Sequence, residues 1–251
     1  MNPKVSIITV CYNSERTVED TLQSVINQSY PNIEYIVIDG VSTDNTLAII
    51  NKYKDKISII ISEKDRGIYD AINKGIKLAN GEIIANLNSD DFYIDNNVIA
   101  DVVTTFEKEK TDTLYADLYY VDAVDTNKIV RYWKSKKYTE GLFLKGWMPP
   151  HPTFFVKKEV YDKHGLFDLQ FKSAADYEIM LRFIHRFKTS IAYLPRVIVK
   201  MRVGGVSNAS LKNRIKANQE DRKAWEVNDL KPHAFTLIFK PISKILQFVK
   251  K

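Results

Sequence analysis

The sequence predicts an α/β fold with a mostly parallel central sheet, because short apolar runs alternate with helix-like segments along its first third. Runs rich in β-branched residues, typical of buried strands, occur at 5–10, 33–38, 58–61 and 83–87. Between them, apolar residues recur every three or four positions, most clearly over 68–79, as in an amphipathic helix. Strands that alternate with helices in this way favour a parallel sheet covered on both faces.

The segment from about 92 to 200 is less regular, but further elements can be assigned in order. Three prolines in the four positions 149–152 exclude regular structure from that loop. The predicted elements are a helix at 98–106, a strand at 113–124, a loop at 146–152, a strand at 153–156 and a helix at 176–187.

Composition favours one globular domain with a substantial core. The chain has 251 residues, of which 45% are hydrophobic, and a net charge of +6 that suits an anionic ligand or surface. Cys11 is the only cysteine, which excludes an internal disulfide and a cysteine-based zinc site. The sequence shows neither a secretory signal nor an apolar stretch long enough to span a bilayer, so we expect a cytoplasmic protein, with the inner face of the cell membrane as a further location.

Polar and acidic residues follow each predicted strand, where the carboxyl ends of parallel strands form one rim of the sheet. Ligands of open α/β sheets bind at this rim. Carboxylates that are held together repel one another unless a cation joins them, and oxygen ligands suit Mg²⁺ or Mn²⁺. The sequence therefore predicts a divalent cation that binds a diphosphate. The residues after the four strands are Tyr12 and Asn13; Asp39; Asp65 and Arg66; and Asn88, Ser89, Asp90 and Asp91.

Taken together, these motifs resemble glycosyltransferase family 2, the inverting family with the GT-A nucleotide-sugar fold. The run Gly-Ile-Tyr-Asp-Ala at 67–71 is similar to bacterial enzymes that build surface polysaccharides, and the resemblance covers about residues 3–207. It implies transfer of a sugar from a nucleotide-sugar donor, by default UDP-linked, to a saccharide or lipid-linked saccharide acceptor. The motifs that carry it span 9–13, 39–46, 65–75 and 88–91.

The resemblance also implies roles for individual rim residues. Tyr12 would pack on the nucleobase, and Asp39 would accept a hydrogen bond from the base imide, which does not distinguish uracil from thymine. GDP- and dTDP-linked donors therefore stay open. The family's Asp-x-Asp metal motif is replaced by Asn88-Ser89-Asp90, so Asp90 would be the metal ligand, with Asp91 sharing that role. The residues assigned to the nucleotide-sugar are Thr9, Tyr12, Asn13, Asp39, Asp65, Arg66, Asn88 and Ser89.

Asp176 is the expected catalytic base, because it matches the acidic residue that opens the family's acceptor-side helix. An ordinary helix N-cap is the alternative interpretation, and Glu178 is the second candidate base. Trp147 and His151 are assigned to an acceptor loop, although an aromatic residue packed within the loop explains Trp147 equally well. Arg202 resembles the start of a segment, 202–207, that closes over the diphosphate; a plain glycine turn is the alternative.

These assignments divide the chain into a GT-A domain at 1–208 and a basic, amphipathic helical extension at 209–251. Residues 1–91 would form the nucleotide-binding half of the domain and 92–208 its acceptor-binding half. The apolar and lysine stripes of 233–251 predict contact with an anionic membrane surface. Packing on the domain, or on a second copy in a homodimer, is the alternative.

Two other functional classes compete with glycosyl transfer. A metal-dependent nucleotidyltransferase would need a glycine-rich loop after the first strand, and the residues at 11–13 include no glycine. A non-catalytic nucleotide-binding protein would show no donor turnover. Nucleic acid is excluded as a partner because the sequence has no basic-aromatic platform or recognition motif.

Overall fold

The structure, a computed structural model, describes residues 2–204, 211–233 and 236. Nine strands and seven α-helices lie within these residues. The strands are β1 (Val5–Cys11), β2 (Ile33–Asp39), β3 (Ile59–Ser62), β4 (Ile83–Asn86), β5 (Asp91–Tyr93), β6 (Thr113–Val121), β7 (Ile129–Trp133), β8 (Phe155–Lys157) and β9 (Ile191–Arg202). The helices are α1 (Val18–Ile26), α2 (Thr46–Lys52), α3 (Ile68–Leu78), α4 (Val98–Glu109), α5 (Lys158–His164), α6 (Ala175–Met180) and α7 (Leu211–Val227).

All nine strands form one sheet in the order β3-β2-β1-β4-β8-β6-β9-β5, with β7 paired to β6. The first four strands in this order are parallel, as the sequence predicts. β8 runs antiparallel to both β4 and β6, so the second half of the sheet is mixed. The strand order reverses between β1 and β4, and such a switch point is where an open α/β sheet binds ligands.

A close contact between α3 and β1 fixes the loop that precedes α3. A Cβ atom at Gly75 would lie 2.4 Å from Ile8 Cγ2, so only glycine allows the helix to approach the strand this closely. Every residue of β1 is buried, which makes the strand a rigid reference for the elements beside it. The loop at 63–67 is therefore held near the carboxyl end of β1.

Four elements of the structure were not predicted from sequence: β5, β7, α5 and β9. β9 contains Pro195, which cannot donate a backbone hydrogen bond. It lies where the register between β6 and β9 shifts next to Ala116, and a bulge tolerates proline where a regular ladder does not. The strand predicted at 153–156 is shortened to β8 because His151–Thr153 forms a 3-10 turn.

The predicted C-terminal extension begins with α7, which packs on α6. Trp225 is fully buried, and its indole Nε1 donates to the Tyr177 hydroxyl at 2.9 Å. The Glu220 carboxylate accepts hydrogen bonds from the backbone of Ser173 and Ala174, just before α6. The domain boundary at 208 stays a prediction, and most of the stripe at 233–251 lies outside the described residues. Within those residues, no helix has the length and apolar character needed to cross a bilayer.

Candidate active site

Hydrogen bonds join the loops that follow β1, β2 and β4. The Asn13 backbone N–H donates to Ser42 Oγ at 2.9 Å, and the hydroxyls of Ser14 and Ser89 lie 2.8 Å apart. The Ser42 backbone N–H donates in turn to the Asp39 carboxylate at 3.1 Å. The predicted rim is thus one connected surface that spans the switch point of the sheet.

An exposed aromatic ring and a carboxylate both lie next to Gly40, beside this surface. Tyr12 is 62% exposed, which is unusual for a large aromatic side chain and leaves its ring open to a flat ligand. A Cβ atom at Gly40 would lie 2.7 Å from Asp65 Oδ2 and 3.5 Å from Tyr12 Cδ2, so the absence of a side chain at Gly40 leaves room for both. The neighbouring Arg66 is exposed and pairs with Asp70 at 2.8 Å.

Asp39 and Thr9 are both fully buried, with different consequences for their predicted roles. The hydroxyls of Ser42 and Ser62 each donate to the Asp39 carboxylate at 2.5 Å. A base imide would have to displace one of these hydroxyls, so the predicted contact stays a prediction. The Thr9 hydroxyl lies 3.0 Å from the Tyr35 hydroxyl within the core, so its contact in the structure is a packing contact; that Thr9 lines the base pocket stays a prediction.

The adjacent carboxylates of Asp90 and Asp91 are held in a poorly solvated position. Burial raises the pKa of Asp91 well above its ordinary value, and the Asp90 charge raises it further. Burial also raises the pKa of Asp90, although the charges of Arg202 and His151 partly offset the effect. Asp90 is partly exposed, whereas Asp91 is fully buried behind it.

This pair fits a divalent cation. Neither oxygen of Asp91 makes a hydrogen bond of good geometry within the described chain, although the Asn88 side chain and the Arg202 backbone lower its pKa. No group of three or more acidic, histidine or cysteine residues among the described ones is arranged to hold a metal. Mg²⁺ and Mn²⁺ sites commonly combine one or two carboxylates with waters and substrate phosphates, so two carboxylates suffice.

Arg202 supports the Asp90 loop. Its guanidinium is buried, donates to the Asp90 carbonyl at 2.8 Å and pairs with Asp20. It also lies 4.9 Å from the centre of the Phe92 ring. We therefore correct the prediction that Arg202 belongs to a closing segment, because its guanidinium is already paired with the protein. Residues 205–207 of that predicted segment lie outside the described residues.

Asp176 lies in the first turn of α6 and contacts two side chains. Its Oδ2 is 3.2 Å from His151 Nδ1, and its Oδ1 is 3.5 Å from the Tyr69 hydroxyl. The Tyr69 contact places the Asp176 carboxylate beside the first turn of α3, which follows the rim loop at 63–67. Tyr69 was not predicted as a site residue, although it lies inside the run at 67–71.

Glu178 has a structural role, which corrects its assignment as a second candidate base. It is 2% exposed, pairs with both Arg182 Nε and Nη2 at 2.9 Å and accepts a third hydrogen bond from Asn228. Residues two apart on a helix point in different directions, so Glu178 faces the core while Asp176 faces the rim.

Replacing Glu178 with alanine is therefore expected to lower the free energy of unfolding by about 3–5 kcal/mol, because it leaves the Arg182 charge buried without its partner. Urea unfolding measures this loss. Glu140→Ala is the matched control, since Glu140 forms an exposed pair with Lys188 and should cost at most about 1 kcal/mol. Equal losses in the two variants would contradict the structural role of Glu178.

Trp147 adopts the packed alternative that the sequence left open. Its ring lies 5.5–5.6 Å from the rings of Tyr115, Tyr138 and Phe143, which makes it part of an aromatic cluster under the loop. Because the side chain is also partly exposed, its assignment to the acceptor loop stays a prediction. His151, four residues further along the chain, instead points towards Asp176.

Comparison with known families identifies the chain. The model of the family described as Glycosyl transferase family 2 matches residues 6–165, more than half of the chain and all four rim motifs. The chain belongs to glycosyl transferase family 2. This confirms the resemblance that the four rim motifs carry.

Relatives within family 2 match different shares of the chain. It is 40% identical over 119 residues to UDP-Glc:alpha-D-GlcNAc-diphosphoundecaprenol beta-1,3-glucosyltransferase WfaP of Escherichia coli, a match that covers 47% of each protein. It is 30% identical over 213 residues to the glycosyltransferase RT0329 of Rickettsia typhi, covering 80% of this chain and 64% of that one. The matched region thus spans about half of the E. coli relative and less than two thirds of the Rickettsia relative.

Solved structures establish the shared fold. Staphylococcus aureus TarS 1-349 in complex with UDP-GlcNAc superposes with a TM-score of 0.71 at 20% identity, covering 90% of this chain and 65% of that one. Mannosyltransferase PcManGT from Pyrobaculum calidifontis, in complex with GDP-Man and Mn²⁺, gives 0.68 at 19% identity, covering 95% and 68%. The predicted GT-A fold is therefore confirmed.

Proposed function

We propose that this chain transfers a sugar, with inversion, from a UDP-linked donor to a hydroxyl of a saccharide or lipid-linked saccharide in bacterial polysaccharide or glycolipid assembly. The observation that supports the proposal is the arrangement of the rim. The exposed Tyr12 ring follows β1, the Asp90–Asp91 pair follows β4, and the hydroxyls of Ser14 and Ser89 join the two loops. Asp176 contacts Tyr69 at the start of α3. Family membership supports it, as does the E. coli relative, whose name specifies UDP-glucose and a diphosphoundecaprenol-linked acceptor.

The donor would lie along the rim. The base stacks on the Tyr12 ring beside Asp65 and displaces a serine hydroxyl from Asp39. Asn88 and Ser89 lie in the loop that would follow the ribose and the diphosphate. A cation bound at Asp90 and Asp91 would supply the positive charge that stabilises the departing diphosphate.

Asp176 would act as the general base. As the acceptor hydroxyl oxygen bonds to the anomeric carbon, its proton passes to the Asp176 carboxylate and the bond to the diphosphate oxygen breaks. One in-line displacement of this kind inverts the anomeric centre. Since the Asp176 side chain is 22% exposed, an acceptor can reach it from solvent.

A lipid-linked acceptor would place the protein at the inner face of the cell membrane. We propose that the basic stripe of 233–251 contacts that anionic surface. Association with a second copy of the chain through the same segment is the alternative.

A thermal-shift panel of UDP-, GDP- and dTDP-sugars with Mn²⁺ tests the donor assignment. At about 100 times its Kd, a ligand adds about 2.7 kcal/mol of stability, which corresponds to a rise in Tm of about 5–10 °C for a chain of this size. We expect the UDP-sugars to give the largest rise. A larger rise with GDP- or dTDP-sugars would contradict the UDP assignment.

Two further outcomes separate the competing functions. Release of pyrophosphate from a nucleoside triphosphate would favour a nucleotidyltransferase. A donor that binds without any UDP release would favour a non-catalytic protein, whereas UDP release that disappears in Asp90→Ala would exclude that class.

A further inference from the structure

His151 lies on a turn whose position is tightly fixed. The turn His151–Thr153 follows Pro150 and contains Pro152, and the fully buried Thr153 hydroxyl contacts both the backbone N–H and the carbonyl of Ala116 on β6, at 3.1 and 2.9 Å. With a proton on Nδ1, the imidazole donates to Asp176 Oδ2 across 3.2 Å. The turn that holds the hydrogen-bond donor His151 is therefore anchored to the sheet, whereas the accepting carboxylate of Asp176 lies on α6.

Tyr69 approaches the other oxygen of the same carboxylate. Its ring stacks on Phe167 with a centroid distance of 5.6 Å, and the Asn73 side chain bonds to both the N–H and the carbonyl of Phe167. The Tyr69 hydroxyl lies 3.5 Å from Asp176 Oδ1, at the outer limit of a hydrogen bond. Burial raises the pKa of the Tyr69 phenol and the Asp176 charge raises it further, so this hydroxyl keeps its proton and can donate it.

His151 Nδ1 faces Oδ2 of Asp176 and the Tyr69 hydroxyl faces Oδ1, so the two contacts reach different oxygens of one carboxylate. An aspartate side chain rotates about two bonds, and a donor at each oxygen restricts both rotations.

We infer that His151 and Tyr69 are positioning residues that hold the Asp176 carboxylate from both sides and aim its free edge at the acceptor hydroxyl. The inference rests on the proposed role of Asp176 as base. A displacement of about 1 Å in a reacting group can lower the rate about 100-fold, so such restraint has a measurable effect on turnover. His151 makes the closer contact and should matter more.

Steady-state release of UDP from the UDP-sugar that binds best in the thermal-shift panel tests this inference. We expect His151→Ala to lower kcat about 10-fold to 100-fold with the KM for the donor within about twofold of the original. His151→Asn should recover most of kcat, because its amide nitrogen occupies the place of Nδ1. Tyr69→Phe should lower kcat about threefold, and His164→Asn, an imidazole loss outside the site, should leave it unchanged.

A double-mutant cycle shows whether His151 acts through Asp176. In an Asp176→Asn background, His151→Ala should cause little further loss, since there is no base left to position. Equal losses in both backgrounds would overturn the inference, as would a His151→Ala variant that binds Mn²⁺ about tenfold more weakly, because His151 would then belong to a metal site. Normal turnover in Asp176→Asn would refute the proposed base itself. A normal His151→Ala beside an inactive Asp176→Asn would refute only the positioning role.

Discussion

Replacing Asp176 with asparagine is expected to lower turnover at least about 100-fold, the scale of a lost general base, while donor binding stays intact. Asparagine has nearly the shape of aspartate and can still accept a hydrogen bond from His151, so the surroundings of the side chain are preserved. It cannot take the proton of the acceptor hydroxyl. UDP release measures kcat, and the donor-induced rise in Tm measures binding.

The matched control is Asp168→Asn. Asp168 precedes α6 and belongs to the turn that contains Gln170, whose backbone N–H donates to its carboxylate at 2.9 Å. This variant should keep both turnover and binding. Near-normal turnover in Asp176→Asn would assign the base to another group. Loss of donor binding together with turnover would indicate that Asp176 supports the nucleotide site instead.

The position of the rim could be predicted because it depends on chain order and strand direction alone. In a parallel sheet, the residues that follow each strand must meet at one edge, so Asp39, Ser89 and Asp90 were placed correctly relative to the sheet without any knowledge of their contacts. Asp176 followed from the family resemblance, and in the structure its carboxylate contacts Tyr69 at the start of α3. These predictions concern positions along elements, which apolar periodicity specifies well.

The direction of a side chain and its partners could not be predicted in the same way. Thr9 is inside β1, and only the packing of Tyr35 beside it shows that its hydroxyl belongs to the core. Glu178 lies two positions after Asp176 on α6. That it pairs with the buried Arg182 can be recognised only once the fold is known. Arg202 is the last residue of β9. Because Pro195 argues against a strand in the sequence, neither β9 nor the contact of Arg202 with the Asp90 loop could be predicted.

Asp90→Asn is expected to abolish metal-dependent turnover. The same substitution is expected to leave the free energy of unfolding of the metal-free protein undiminished. Removal of one carboxylate charge weakens the binding of Mn²⁺, and with it the stabilisation of the leaving diphosphate. Because burial raises the pKa of Asp90 in the fold, its charged form is disfavoured there relative to the unfolded chain. Above the ordinary pKa of an aspartate this charge costs folding free energy, so a neutral asparagine relieves the cost and reduces repulsion on Asp91.

Urea unfolding of EDTA-treated protein, with and without added Mn²⁺, separates these two effects. Wild-type protein should gain stability from Mn²⁺, and Asp90→Asn should lose that gain while matching or exceeding the wild type without metal. Asp44→Asn, on the same rim, is the control in which the charge is expected to stabilise the fold. Desolvation raises the pKa of Asp44, but hydrogen bonds from Thr46 and the Glu15 backbone outweigh it and lower the pKa overall, so the charged form of Asp44 stabilises the folded state. That variant should lose some stability and keep its response to Mn²⁺. Full turnover of Asp90→Asn in EDTA would contradict the metal assignment. A large loss of metal-free stability in this variant would show that Asp90 stabilises the fold. The two outcomes are informative because a carboxylate whose charge destabilises the fold is expected only where a ligand requires that charge.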